Sequence, residues 1–360
     1  MNFSHRARAL LALAAVSIAV PAWASSEPSG LDALRTYNLV VLGNLTSSSE
    51  VEGRTFVGGN LTGNSSNYLI SSSVPATTYT VPGLTVVGDV TGGTKNLNNG
   101  SGAVVGGNVS SGFNLNGATQ TVQVGGTISN TNVNQNTVTS NLGATNPAFT
   151  QNLTQYGSLM STSMKELSYQ LSTQASTSTV SLSGSTGVFT AQAGSGGTAV
   201  FNLTAADLSK MSAIQFNTNG ADTVIVNVTG DPITLNQNFL GGTNNLGQHV
   251  IWNFPNATNL TLTTAWGGSV LAPLANATTY NYIQGSAVFG SLTQDGEMHI
   301  GTYAGGYSLP SDPGSSSTTS STSSTSGGTS VPEPGMVGLL GLGLAGLVWR
   351  RRNARIARAA

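Results

Sequence analysis

Short β-branched runs broken by glycine set the rhythm of the first half of the chain. Thr55-Phe-Val-Gly-Gly-Asn-Leu61, Thr85-Val-Val-Gly-Asp-Val90, Ala103-Val-Val-Gly-Gly-Asn-Val109 and Val122-Gln-Val-Gly-Gly-Thr-Ile128 repeat one phrase, and Val40-Val-Leu-Gly-Asn-Leu45 reads as an earlier copy. The residue after the glycines falls at 60, 89, 108 and 127, at intervals of 29, 19 and 19. A short strand, a glycine corner where φ can turn positive and a further apolar residue predict one coil of a β-solenoid. Stacking such coils buries a core that no single coil could bury. Short strands with turn signals also fit a β-sandwich, but the period near twenty residues favours the solenoid. Asn, Ser and Thr at the corners are expected to hydrogen-bond along the stack as structural ladders.

The period then changes. Phe149, Leu153, Tyr156, Met160, Met164, Leu167 and Leu171 recur every three or four residues, which predicts one amphipathic helix from about Pro147 to Thr177. Its Ser/Thr-rich surface gives middling propensity, so it needs a β surface to dock against. Strand signals resume at Gly187–Thr190, Ala199–Leu203, Ala213–Phe216, Thr223–Val228, His249–Phe254, Asn259–Thr263, Ser269–Ala272 and Ser286–Phe289. The expected fold is mainly β, a solenoid-like domain with one long helix docked alongside.

Both ends carry a different pattern. Arg6 and Arg8 precede the apolar run from Ala9 to Val20, and Ala22-Trp-Ala24 follows. This is the layout of a secretory signal peptide, residues 1–24, with signal peptidase cutting between Ala24 and Ser25. The run is too short for a bilayer, which takes roughly 20 residues. From 309 to 330 the chain is a Ser/Thr-rich linker of the kind that forms flexible stalks. Pro332-Glu333-Pro334 then leads into the apolar run 336–349 and the basic cluster Arg350, Arg351 and Arg352. An apolar run with a basic stop marks a short transmembrane helix with its tail inside. At about 21 Å it is short for a permanent span and suits transient residence in the inner membrane.

Charged residues are only 7% of the sequence, far below the roughly 25% of ordinary soluble domains, so neutral hydrogen-bonding groups do most of the solvation. Seven of the twelve basic residues sit in the two terminal signals; thirteen acidic against five basic residues leave the mature part at −8. A basic patch for nucleic acid is therefore not expected. Cysteine is absent, which excludes disulfides, thiolate metal sites and cysteine nucleophiles.

Candidate chemistry is sparse. His249 and His299 are the histidines outside the signal peptide, and both read as strand-edge residues. Ser-His-Asp combinations are possible by count, but no G-x-S-x-G elbow is present. Glu50 with Glu52 and Asp295 with Glu297 each share a strand face at i, i+2; they are weak candidates for calcium, which takes about six to eight oxygens, and they lack the cleft that glycosidases place between carboxyls. Gly341, Gly343 and Gly346 match G-x-G-x-x-G, but within an apolar run rather than between a strand and a helix, so the fingerprint carries no cofactor. Trp252, Trp266, Tyr280, Tyr282, Tyr303 and Tyr307 read first as core and second as carbohydrate-facing rings. No catalytic, cofactor or metal residue is assigned.

Two resemblances add to this reading. The order Pro332-Glu333-Pro334, Gly-rich apolar helix and Arg cluster resembles the PEP-CTERM sorting signal, 331–360, which implies processing by an exosortase near the tripeptide. Tyr37–Leu45, Glu52–Asn60, Val250–Phe254, Trp266–Pro273 and Gln294–His299 resemble the choice-of-anchor A domain, here 31–308. That resemblance implies a β-solenoid-like adhesin, with exopolysaccharide or other surface proteins as partners. The implied function is that of an exported, non-enzymatic surface or matrix protein. Alternatives are an ice-binding β-solenoid, for which Thr261, Thr263 and Thr264 are too few to make a flat threonine face, and an extracellular glycan-active enzyme.

Overall fold

The computed structural model describes residues 27–194 and 196–309. The cleavage residues Ala22, Ala24 and Ser25, the sorting residues Pro332, Glu333, Pro334, Arg350, Arg351 and Arg352, and the apolar run 336–349 lie outside the described residues. Among the described residues no helix is long and apolar enough to cross a membrane.

The described chain is mainly β, with parallel sheets. Strand Leu39–Val41 pairs with Thr55–Val57, followed outward by Leu84–Val86, Ala103–Val105, Thr121–Val124 and Thr137–Thr139, every pair parallel. On its other side Leu39–Val41 pairs with Ala287–Gln294. That strand continues the sheet through Ser269–Thr279, Val250–Asn253, Thr223–Thr229 and Thr198–Thr204. The chain thus begins mid-sheet, builds outward to one end, crosses to the other end and builds back until its last long strand meets its first.

The crossing is made by helix Pro147–Ser172. Its 26 residues extend about 39 Å, against about 48 Å for eleven strands spaced ~4.8 Å apart. One helical turn of about 5.4 Å nearly matches one strand spacing, so successive turns meet successive strands. Pro147 opens the helix, where its missing N–H has no intrahelical partner to lose. The helix stops at Ser172 rather than near Thr177, because the backbone N–H groups of Thr177 and Ser178 bond instead to the carbonyl of Val200. Tertiary β contacts override the weak propensity of this Ser/Thr run. Three short helices, Leu31–Thr36, Leu142–Thr145 and Ala205–Leu208, were not expected from the pattern. Each is too short to show a 3.6-residue period.

Alternation along the strands serves two cores. Leu39 and Val41 point into the space enclosed by the sheets, while Val40, Phe56, Ile225, Ile251, Leu271 and Val288 point outward to meet Leu153, Tyr156, Met160, Met164, Leu167 and Leu171 of the helix. The inner core widens in the second half, where Phe189, Phe216, Phe239, Trp252 and Trp266 form a chain of ring contacts 4.8–6.5 Å between centroids. The Trp252 indole N–H donates to the Gly267 carbonyl at 2.9 Å, which satisfies its polar atom inside the core.

The corner glycines act differently from expectation. Gly106 and Gly125 do not have positive φ; they are needed because a Cβ on Gly106 would lie 2.1 Å from the Val87 carbonyl oxygen and one on Gly125 2.0 Å from that of Gly106. The repeated Gly-Gly marks close approach of one layer to the next.

Candidate functional site

Past those corners the chain forms a second, shorter run of strands. Leu45–Ser47 pairs with Leu61–Thr62 and with the end of Ala287–Gln294, which pairs with the end of Ser269–Thr279, then Asn259–Leu262 and Ile233–Leu235. In each strand the apolar residue is buried: Leu45, Leu61, Leu292, Ala277, Leu260 and Ile233. The next residue faces outward, and in all six strands it is threonine.

The register aligns these into one row: Thr234, Thr261, Thr278, Thr293, Thr46 and Thr62. Parallel bridges Leu61↔Val90, Val90↔Val109 and Val109↔Ile128 extend the layers, each followed by a hydroxyl residue, Thr91, Ser110 and Ser129. Thr91 donates to Thr62 at 3.1 Å. The sequence points to too few threonines for such a face because it suggests the cluster Thr261, Thr263 and Thr264. Of these only Thr261 is in the row. Thr263 and Thr264 turn their hydroxyls to the carbonyls of Leu235 and Gln237.

Two residues before every threonine of the row except Thr234, where Pro232 takes that place, lies a second column: Asn259, Asn276, Ser291, Asn44 and Asn60, continuing to Asp89, Asn108 and Thr127. Asn44 Oδ1 accepts from the Asn60 N–H, Asn60 Oδ1 from Asp89 N–H, Asp89 Oδ1 from Asn108 N–H and Asn108 Oδ1 from Thr127 N–H, across 16, 29, 19 and 19 residues. The repeat read from the sequence is therefore a hydrogen-bonded stack. The Ser291 hydroxyl donates to Asn276 Oδ1 at 2.5 Å. At the far corner Asp231 accepts from the Thr258 hydroxyl and from the Thr258 and Asn259 N–H groups, and these bonds hold its carboxyl below the usual range.

Other sequence candidates are dispersed. Glu50 accepts from Asn67, Glu52 from the Ile300 N–H, and Asp295 from Ser48. Glu297 pairs with His299 at 2.7 Å, and the His299 ring stacks on Tyr282 at 4.4 Å. His249 Nδ1 lies 2.8 Å from the Asp222 carbonyl oxygen rather than from a carboxylate. Among the described residues no three His, Asp or Glu side chains form a group that could hold a metal ion. Trp252, Trp266 and Tyr303 are buried, Tyr282 and Tyr307 half-buried, and Tyr280 exposed.

Lys95 gave no sequence signal. It occupies an inward position of strand Lys95–Leu97, fully buried, with its ammonium donating to the Asn64 carbonyl at 2.5 Å. Burial pulls its pKa down to about 8.

Both ends of the described residues lie on the helix side. The Tyr156 hydroxyl donates to the Pro28 carbonyl, and Ser163 Oγ accepts from Gly30 N–H. Arg35 donates to the carbonyls of Gly305 and Tyr307, while Tyr307 and Leu309 pack against the helix-side core. The threonine row belongs to a different face of the layers.

Residues 330–352 match the PEP-CTERM protein-sorting motif. No curated protein and no solved structure matches the chain. With its adhesive domain, the sorting signal marks an exosortase-processed protein exported to the cell surface or extracellular space. Residues 30–300, most of the chain, match the family described as "Putative Ice-binding-like adhesive domain", and the chain belongs to that family.

Proposed function

We propose that the protein is a non-enzymatic adhesin of choice-of-anchor A type, built as a β-solenoid, that meets exopolysaccharide or neighbouring cells through its threonine row. The supporting observation is the register that places six threonines from six separate strands on one outward face. Such a face offers donors and acceptors in fixed repeat, which suits a repetitive ligand and supplies no nucleophile–base pair. In this reading residues 1–24 are the leader cut after Ala24, 31–308 the adhesive domain, 309–330 a spacer and 331–360 the exosortase signal. Pro332, Glu333 and Pro334 are read by the exosortase, and Arg350, Arg351 and Arg352 hold the run 336–349 in the inner membrane until processing.

Intact-mass measurement of protein from medium and cell surface tests the processing. The expected mass begins at Ser25 and lacks Arg350–Ala360 in exosortase-competent cells; retention of both ends would overturn the account. Adhesion of cells with and without the protein tests the function.

A second reading is ice binding, favoured by the same row of in-register threonines. Thermal hysteresis in the purified protein, lost on removing the Thr278 and Thr293 hydroxyls, would establish it.

A further inference from the structure

The threonine row is not uniform along its length. Where the first and last layers meet, its outward side sinks into a trough of about 410 Å³ lined by Thr46, Thr261, Thr278 and Thr293 on one side and Asn44 and Asn276 on the other. The corner Pro273–Ala275 lengthens one layer and breaks its register with Ala287–Gln294 between Ala272 and Asn276, leaving Leu274 45% exposed at that corner.

Among the described residues, the hydroxyls of Thr46, Thr261, Thr278 and Thr293 have no protein hydrogen-bond partner, whereas the neighbouring asparagine column is engaged along the stack. A threonine hydroxyl can donate once and accept twice. The trough therefore presents an unused donor–acceptor group at every layer, about 4.8 Å apart. None of its six named residues is ionisable, and the mature chain around it is acidic.

We infer that this trough binds a neutral polysaccharide in extended form, lying along the stacking axis. The inference rests on the adhesin reading and names its ligand class. The pattern repeats only along the stack, so a chain running that way meets one free threonine hydroxyl at each layer, while one running across meets a single such group. Hydroxyl and amide groups without charge match the equatorial hydroxyls of a neutral glycan, and the acidic surface repels polyanions. The concavity favours a strand-like ligand over the flat plane of an ice crystal.

The test uses the exported protein recovered from the medium and immobilised neutral glycans, namely amorphous cellulose, chitin and dextran, with alginate as the polyanion. Thr278→Val and Thr293→Val together keep the β-branched shape and remove two hydroxyls. Thr121→Val with Thr137→Val is the control pair outside the trough, and circular dichroism with melting checks that all variants fold. The expected result is retention on at least one neutral glycan, reduced tenfold or more by the trough pair, unchanged by the control pair and absent on alginate. Equal retention of the trough pair, preference for alginate or no retention on any neutral glycan overturns the inference. Thermal hysteresis that disappears in the trough pair, without glycan retention, also overturns it and assigns the face to ice. Cell adhesion is measured in parallel: adhesion that persists while the trough pair is silent removes only the ligand assignment, whereas no adhesion by the wild type removes the adhesin reading itself.

Discussion

Ser168 and Asn253 bond to each other twice: the serine hydroxyl donates to Asn253 Oδ1 at 2.6 Å, and the asparagine amide donates back to the Ser168 carbonyl at 2.8 Å. Asn253 also donates to Asn227, which donates to Asn202 and to the Leu171 carbonyl. This buried amide row fastens the last turns of the helix to three successive strands. Asn253→Leu leaves the Ser168 hydroxyl and Asn227 Oδ1 without partners and is expected to destabilise the domain by about 2–4 kcal/mol. Urea unfolding measures it, and a loss under ~0.5 kcal/mol would show that packing alone seats the helix.

The close contact at Gly125 gives a sharper prediction. Gly125→Ala forces a methyl against the Gly106 carbonyl and the Thr150 side chain, so the layers must separate. Expression should fall and any folded product should melt well below wild type. Gly194→Ala, whose nearest atom is 3.9 Å away, should be neutral; equal behaviour of the two would refute layer contact as the reason for the glycines.

Lys95 makes stability depend on alkaline pH. Its folded pKa is about 8 against an ordinary 10.5. Below pH 8 both folded and unfolded chains carry the charge, and the fold bears the penalty of burying it. Between these values the folded chain has released the proton while the unfolded chain keeps it, so stability rises with pH across that window. Lys95→Met should be more stable than wild type at pH 7, by up to ~3 kcal/mol, with the advantage shrinking by pH 10.5. Melting curves of both proteins at the two pH values decide this, and a constant difference would contradict it.

Arg35 holds the last described segment, 303–309. Its guanidinium reaches Gly305 and Tyr307 carbonyls at 2.7 and 2.9 Å and lies 5.5 Å from the Tyr303 ring centre. Arg35→Gln should raise hydrogen exchange across 303–309 by tenfold or more while leaving the β core protected. Unchanged exchange would mean that Tyr303 and Leu309 packing suffices.

The first-half stack was legible because each layer reuses a short polar residue after its glycine corner, so Asn60, Asp89, Asn108 and Thr127 announce their own contacts. The helix was legible from its apolar stripe, though its end was set by bonds to Val200 that no local pattern encodes. The threonine row was hidden. Its neighbours Thr46 and Thr293 stand at opposite ends of the domain sequence, and corners of unequal length separate Thr234, Thr261 and Thr278. Local spacing instead drew attention to Thr263 and Thr264, which the fold turns aside. Lys95 was likewise silent, since a lysine between Thr94 and Asn96 reads as surface until the inward register of its strand is known.

The pairing of Leu39–Val41 with Ala287–Gln294 bears on how the domain is made as well as on its shape. The first strand to emerge from a ribosome or a secretion channel lacks one neighbour until the last long strand arrives, roughly 250 residues later. Loop closure over that span is slow, so the central layers cannot lock while most of the chain is still in transit. For an exported protein this leaves the closing of the seam, where the first strand meets the last long one, as a step that needs nearly the whole domain on one side of the membrane.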